Sequence, residues 1–568
     1  VTLVWLPRDT TVELLARAGM SPGLMSAGLG DVPAEQTYLD ITQGNRVFGS
    51  LYKEPLPAGS VSLNRPIGKG AIVERAESAP AEIVPGLLAS TLDAAGEGFE
   101  VRSASVNRLP RLVAAQRGED LLIAIARPPP AAGRALAIGV AGREFDGNLT
   151  SDSTRLDGYV LSTDVAPTIL ERLGVAVPSQ MSGQPIRTEG VVDPAALSDL
   201  GARLAVISER RGPVIGLSLL AWIVALALAF AASHFRGSFR RHSLAKEPRE
   251  QGDGARRGVR VVGLSVILLP LVLLVAAAIE PGQTAEALLA MLGAPLLAAL
   301  ALALFGGYRA LAVASGLTVL AYAADVIAGS PLTSLSLLGP NPGLGVRFYG
   351  IGNELEALLA VLIVAGTGAA ITGFAPRLSP RGGAIAFLTV GIVAAFVFAA
   401  GRFGADVGAA IVFPVGAAVA AALLAARRRR TALAIVALPI AVLALLALVD
   451  LVSGANAHLT RSVLDAGGLS DLADVAQRRL QLSARSFARP IVLVFLPLIA
   501  GLAALAVARR DRLGAWLRGR PAMRAALLGA VAATVVGTLA NDSGALLLEI
   551  GSACLLVFTG FAWAEAER

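Results

Sequence analysis

From residue 212 to its end the chain is a succession of apolar stretches of roughly twenty residues, the length that crosses a bilayer as a helix. Eleven stretches are expected as spans: 212–234, 261–279, 285–305, 310–328, 350–373, 384–400, 407–426, 432–452, 490–508, 525–540 and 545–565. Their links alternate in charge. Residues 236–260 hold Arg236, Arg240, Arg241, Lys246, Arg249, Arg256, Arg257 and Arg260; then come Arg309, Arg377 with Arg381, Arg427 to Arg430, and six arginines against Asp511 in 509–524. All of these fall on one side if the spans alternate, and the positive-inside rule makes that side cytoplasmic. The other links, and everything before residue 206, are then expected outside.

Composition agrees with this division. Of 568 residues, 55% are hydrophobic and 16% charged, against roughly 25% charged in soluble domains. Residues 1–210 carry 19 Lys+Arg against 24 Asp+Glu, and the remainder carries 30 against 18. The basic excess therefore belongs to the apolar part, where it reads as topology and not as a nucleic-acid surface; no nucleic-acid partner is expected. The lone Cys554 forms no internal disulfide. An exported N-terminal domain implies a signal peptide or anchor upstream of Val1, and a retained anchor would add a twelfth span.

Residues 1–205 alternate short aliphatic runs with helical stretches: Val1–Leu6, Leu121–Ala126 and Leu136–Val140 as strands, Thr11–Ala18 and Val165–Leu173 as helices. The fold class expected is thus an α/β external domain over 1–205, then an all-α polytopic membrane domain over 206–568 with an external loop at 454–489. The run from Ser153-Thr154-Arg155 through Ser162-Thr163-Asp164-Val165-Ala166-Pro167-Thr168-Ile169-Leu170 to Ser182-Gly183-Gln184-Pro185-Ile186 resembles the C-terminal end of alkaline-phosphatase/sulfatase-superfamily domains. That family implies two metals held by Asp and His around a Ser or Thr nucleophile. The three histidines are His234, His242 and His458, none of them in 1–205. Asp9 after the first strand, with Thr10 or Ser21, is the remaining trace of such a site. Turn and loop roles are the simpler reading of these residues, and the domain is expected to be degenerate and non-catalytic. No metal site and no cofactor are expected.

Polar residues at span ends are expensive in lipid and therefore informative. Four clusters share the expected external face. Arg347-Phe348-Tyr349-Gly350-Ile351-Gly352-Asn353-Glu354 enters the fifth span, with Glu356 two residues on; Gly401-Arg402-Phe403-Gly404-Ala405-Asp406 links the sixth and seventh. Asn456-Ala457-His458-Leu459-Thr460-Arg461 opens the long loop, and Asn541-Asp542-Ser543-Gly544 joins the last two spans; Asp325 and Asp450 lie near external ends. Glu354, His458 and Asp406 are the candidate catalytic residues, because a carboxylate or imidazole deprotonates a hydroxyl. Arg347, Asn353, Arg402, Arg461, Asn541 and Asp542 are the candidate substrate ligands, since arginine forks suit pyrophosphate. Each cluster also has a structural reading as a turn or a snorkelling arginine.

This layout is similar to that of the O-antigen ligase and polymerase superfamily, whose members present arginines and a histidine-bearing external loop to a polyprenyl-pyrophosphate glycan. The resemblance implies a glycan transferase of a bacterial plasma membrane, with membrane lipid, a lipid-linked envelope precursor and other envelope-synthesis proteins as partners. A transporter or flippase of an envelope precursor, or a non-catalytic scaffold, is the alternative; Pro270, Pro295, Pro414, Pro439 and Pro497 interrupt spans but without paired spacing, and Glu549 is the main charge at mid-depth.

Overall fold

The computed structural model of the chain describes residues 1–57, 63–65, 70–79, 81–130, 135–240, 253–425, 437–445 and 480–566. It divides into two compact units. The first comprises Val1–Glu209 and Pro340–Tyr349, the second Arg210–Gly339 and Gly350–Arg568.

In the first unit, a six-stranded sheet runs in the order β3-β1-β4-β5-β2-β7, with β1 Thr2–Leu6, β2 Ser21–Ser26, β3 Glu100–Ser103, β4 Leu122–Ala126, β5 Leu136–Ala141 and β7 Tyr159–Leu161. β5 pairs antiparallel with β4 and β2, and the other pairs are parallel, so the sheet is mixed. β4 reads LIAIA and is buried at every position, as expected of a strand covered on both faces. Helices α1 Val12–Arg17, α2 Ala34–Gln43, α3 Ala71–Glu77, α4 Leu87–Ala95, α5 Leu109–Ala114 and α6 Val165–Arg172 surround it, and β6 Asn148–Ser151 pairs with β8 Ile186–Glu189 beside it. Ser21, read from the sequence as a loop residue before Pro22, instead opens β2. β7 pairs with β2 only from Leu24 onward, so the missing N–H of Pro22 falls where β2 has a single neighbouring strand.

The Ser153–Ile186 run is tied around one carboxylate. Asp164 is fully buried and accepts from the hydroxyls of Ser151 and Ser153, both at 2.6 Å, and from the N–H groups of Leu161 and Gln184 at 2.9 and 3.0 Å. The Thr168 hydroxyl donates to the Asp164 carbonyl and accepts from Ile186 N–H. Burial pushes the Asp164 carboxyl above its ordinary range, and the four donors oppose that rise. Asp164 and Thr168 of this run thus have a packing cause.

The second unit is helical. It comprises α7 Pro194–Arg240, α8 Asp253–Ile279, α9 Gln283–Phe305, α10 Gly307–Ile327, α11 Asn353–Phe374, α12 Pro380–Ala399, α13 Val407–Ala425, α14 Pro490–Ala508, α15 Arg510–Trp516, α16 Pro521–Ala540 and α17 Gly544–Ala564. Among the described residues nine helices are long and apolar enough to cross a membrane, and α14 with α15, bent by 75°, makes up to ten. The expected span 432–452 is described only at 437–445, where it is helical. α9 holds a π turn at Leu289–Gly293 just ahead of Pro295, whose ring nitrogen gives the helix no N–H. α11, with Leu355, Leu359 and Leu362 buried, lies in the core of this unit. α13 and α16 approach backbone to backbone at Gly416 and Gly529, as small residues allow in lipid.

Candidate functional site

The polar end of the helical unit is assembled from links that are far apart in sequence. Gly350 has φ +75°, a conformation that favours glycine, and a Cβ there would strike the Gly404 carbonyl. That carbonyl accepts from Ile351 N–H at 3.0 Å, while Gly350 N–H donates to the Ser330 hydroxyl at 2.8 Å. The turn after α12 is thereby fixed against the entry to α11. Asp325 closes the neighbouring turn by accepting from Leu332 and Thr333 N–H.

α11 then begins with Gly352 as its cap, and Glu354 and Glu356 occupy its first turn, where the positive end of the helix favours carboxylates. Asn353 Nδ2 donates to Asp542 Oδ1 at 3.2 Å. Glu354 Oε1 lies 3.4 Å from Arg211 of α7, whose other terminal nitrogen donates to the Gly339 carbonyl at 2.6 Å. Glu356 is fully buried; it accepts from Asn541 Nδ2 and packs where Gly408 leaves room for no Cβ. Asp406, also buried, accepts from Gly408 N–H at 2.8 Å and so caps α13.

Five of the sequence-predicted residues therefore meet: Asn353, Glu354, Asp406, Asn541 and Asp542. Arg402 is on the same turn as Asp406 but exposed, its guanidinium 5.1 Å from the Phe403 ring. Arg347 falls in the 340–349 segment and belongs to the first unit, half-buried. His458 and Arg461 lie outside the described residues, as do Asp450 and residues 454–479 of the expected loop. Arg211 and Glu356 are the members that sequence reasoning did not assign. Glu356 sits in the same first turn as Glu354 but is buried where Glu354 is half-buried, a difference visible only once neighbouring helices are in place. Arg211 had a signal, being the last charge before the first apolar run. Chemically the cluster offers four carboxylates, two amides and one guanidinium: groups suited to hydroxyl binding and proton acceptance.

The first unit has its own cavity, about 260 Å³, at the carboxyl end of β2, lined by Ser26, Gly28, Asp31, Pro129, Tyr159 and Gly343 among others. Ligands of open α/β sheets occupy this edge. Beside it the half-buried Arg46 donates to Ser26 Oγ, to the Gly28 carbonyl and, at 2.7 Å, to the Gly345 carbonyl, and its guanidinium lies 5.8 Å from the Phe348 ring. Gly30 N–H donates to the Leu344 carbonyl at 2.8 Å, so segment 340–349 is held by both contacts. Burial raises Asp40 to about 7 against the pull of Gln36, Arg46 and Arg75, and raises Tyr159 to about 12. The Ser26 hydroxyl donates to the Gly28 carbonyl, which ties the loop. At the end of β1, Asp9 is exposed in a turn and Thr10 donates to the Pro7 carbonyl. Among the described residues no three His, Cys, Asp or Glu converge as metal ligands.

The chain matches no family model, no curated protein and no solved structure.

Proposed function

We propose that the chain is a transferase of a bacterial plasma membrane, acting at the outer face on a glycan or phospho-glycan linked to a polyprenyl pyrophosphate. The observation that carries this reading is the meeting of 350–356, 404–408 and 541–542 in one carboxylate-rich cluster at a span end, where unpaired charge is costly and polar groups mark function. Glu354 is the general base: it is half-buried, and Arg211 holds it in place. An acceptor hydroxyl attacks the anomeric carbon, its proton passes to Glu354, and the bond from that carbon to the pyrophosphate oxygen breaks. Asn353 and Asp542 orient the sugar, and Arg402, Arg461 and His458 are the proposed partners of the leaving pyrophosphate. In this reading the first unit is a degenerate, non-catalytic relative of alkaline-phosphatase/sulfatase domains, a reading that rests on the Asp164-centred run beside its mixed α/β sheet.

The test is Glu354→Gln in the full chain. It keeps the side-chain size and an oxygen toward Arg211, so thermal stability should hold while glycan transfer from a polyprenyl-pyrophosphate donor falls by about 10²–10⁴, the usual contribution of general base catalysis. Unchanged transfer removes Glu354 from the chemistry. A second reading, carboxylate-coupled transport of an envelope precursor, is favoured by Glu356, which is fully buried between α11, α13 and the end of α16. Glu356→Gln would then abolish flux in vesicles that show no transfer.

A further inference from the structure

The opposite, arginine-rich end of the helical unit holds a second cavity, of about 450 Å³, whose lining includes Tyr308, Arg309, Thr372, Leu378, Leu424 and Arg520. Its volume falls within the range of small-ligand sites. It shares no lining residue with the carboxylate cluster, and its role is independent of the transferase reading.

Both arginines are oriented without being neutralised. Arg520 donates to the carbonyls of Trp516 and Glu565 at 3.0 and 2.9 Å, and its guanidinium lies 5.2 Å from the Tyr308 ring. Arg309 donates from Nε to the Gly373 carbonyl at 2.8 Å and stacks over Phe374 at 5.7 Å, which leaves its two terminal nitrogens without a partner among the described residues. Neither has a carboxylate partner there; the Glu565 carboxylate is ion-paired instead with Arg260, at 3.0 Å. Carbonyls and ring faces thus fix two guanidinium forks on one cavity while their full charge persists. Such forks match the oxygens of a phosphate group.

The remaining wall is apolar and reaches the outside of the bundle. Leu378 lines the cavity and is 43% exposed, and Phe305, also lining it, is 42% exposed. A phosphate held by the arginines would have hydrocarbon-compatible surface directly beside it, the arrangement expected where basic pockets between membrane helices take lipid headgroups. We propose that this cavity binds the phosphate group of an anionic ligand through Arg309 and Arg520, a phospholipid headgroup or a soluble phosphate ester being the source.

Native mass spectrometry of the full chain released from detergent tests this, with phosphatidylglycerol, phosphatidylcholine or glycerol phosphate as the probe. Retention of phosphatidylglycerol over phosphatidylcholine should fall about tenfold in Arg309→Gln, the loss of one charge-assisted contact, and return in Arg309→Lys. Leu378→Trp narrows the same cavity from its exposed wall, leaves both guanidinium groups intact, and should weaken retention as well. Retention of glycerol phosphate with the same arginine dependence supports the site and assigns its source to solution. Equal retention of both phospholipids with no bound glycerol phosphate, or retention indifferent to Arg309→Gln and Leu378→Trp, overturns the proposal.

Discussion

Asp40 stands in the interior of the first unit with Gln36 and Gln43 donating to one of its oxygens at 2.7 and 3.2 Å and with Arg46 and Arg75 nearby. Its folded-state value is about 7 against an ordinary 3.8, and burial is the leading cause. The folded state therefore keeps this proton to a higher pH than the unfolded chain does. Between about pH 4 and pH 7 unfolding releases a proton, so the Asp40 contribution to stability is most favourable below pH 4 and declines as pH rises toward 7. Above that the penalty is on the order of 4 kcal/mol. Asp40→Asn retains an oxygen for Gln36 and cannot ionise. It should flatten most of this slope and stabilise the first unit at pH 8 by on the order of 2–4 kcal/mol, read from hydrogen-exchange protection of β1 and β4 amides after correction for intrinsic rates. Asp164, also raised, leaves a residual slope of the same sign. An unchanged slope would show that the Asp40 proton is not linked to folding. Residues of this kind are poorly legible in sequence: Asp40 reads as one more acid in a polar helix, because burial depends on what packs over it. Glu354 was legible because it stands between glycines and an apolar run.

Elements were more legible than residues. The apolar runs placed most of the described membrane-capable helices to within a few residues, and β1, β4, β5, α1 and α6 lie where alternation and run length place them. β2 was missed because Ser21-Pro22-Gly23 carries turn residues, and its strand state depends on pairing with β5. α7 exceeds its expected span because residues 194–211, in which charges are interspersed among apolar residues, continue the helix. The same contrast between local and tertiary cause predicts two glycine substitutions. At Gly216, inside α7, a Cβ would meet nothing within 4 Å, so Gly216→Ala should be neutral or stabilise by about 0.5–1 kcal/mol through lost unfolded-state freedom. At Gly350 the positive φ and the Gly404 carbonyl both oppose a side chain. Gly350→Ala should destabilise by roughly 2–4 kcal/mol, combining backbone strain with separation of the two turns. Thermal unfolding of the purified full chain checks both; a tolerated Gly350→Ala would mean that the α11 entry is not fixed against the α12–α13 turn.

At the scale of the whole molecule, the two ends of the helical unit differ in charge chemistry. One end holds Glu354, Glu356, Asp406 and Asp542 with Arg211, and Arg210 paired to Glu286 at 3.4 Å. The other holds Arg256, Arg260, Arg309 and Arg520, joined to carbonyls and rings more than to acids. Contacts within each end, Gly350 with Gly404 at the first and Arg309 with Gly373 at the second, keep the links of one parity together, as the alternation of arginines requires. If arginines are retained inside, the acidic end faces outward. A membrane-impermeant maleimide on intact cells tests this, with Cys554→Ala as background. Gln283 at the start of α9 and Arg377 between α11 and α12 are both exposed. Gln283→Cys should react on intact cells, and Arg377→Cys only after permeabilisation. The reverse pattern would invert the protein, place the carboxylate cluster in the cytoplasm and remove the lipid-linked glycan reading, because an outer-face donor could no longer reach Glu354. Labelling of both from outside would break the alternation itself. The transferase reading thus stands on topology as much as on the site, since the same carboxylates facing inward would meet different substrates.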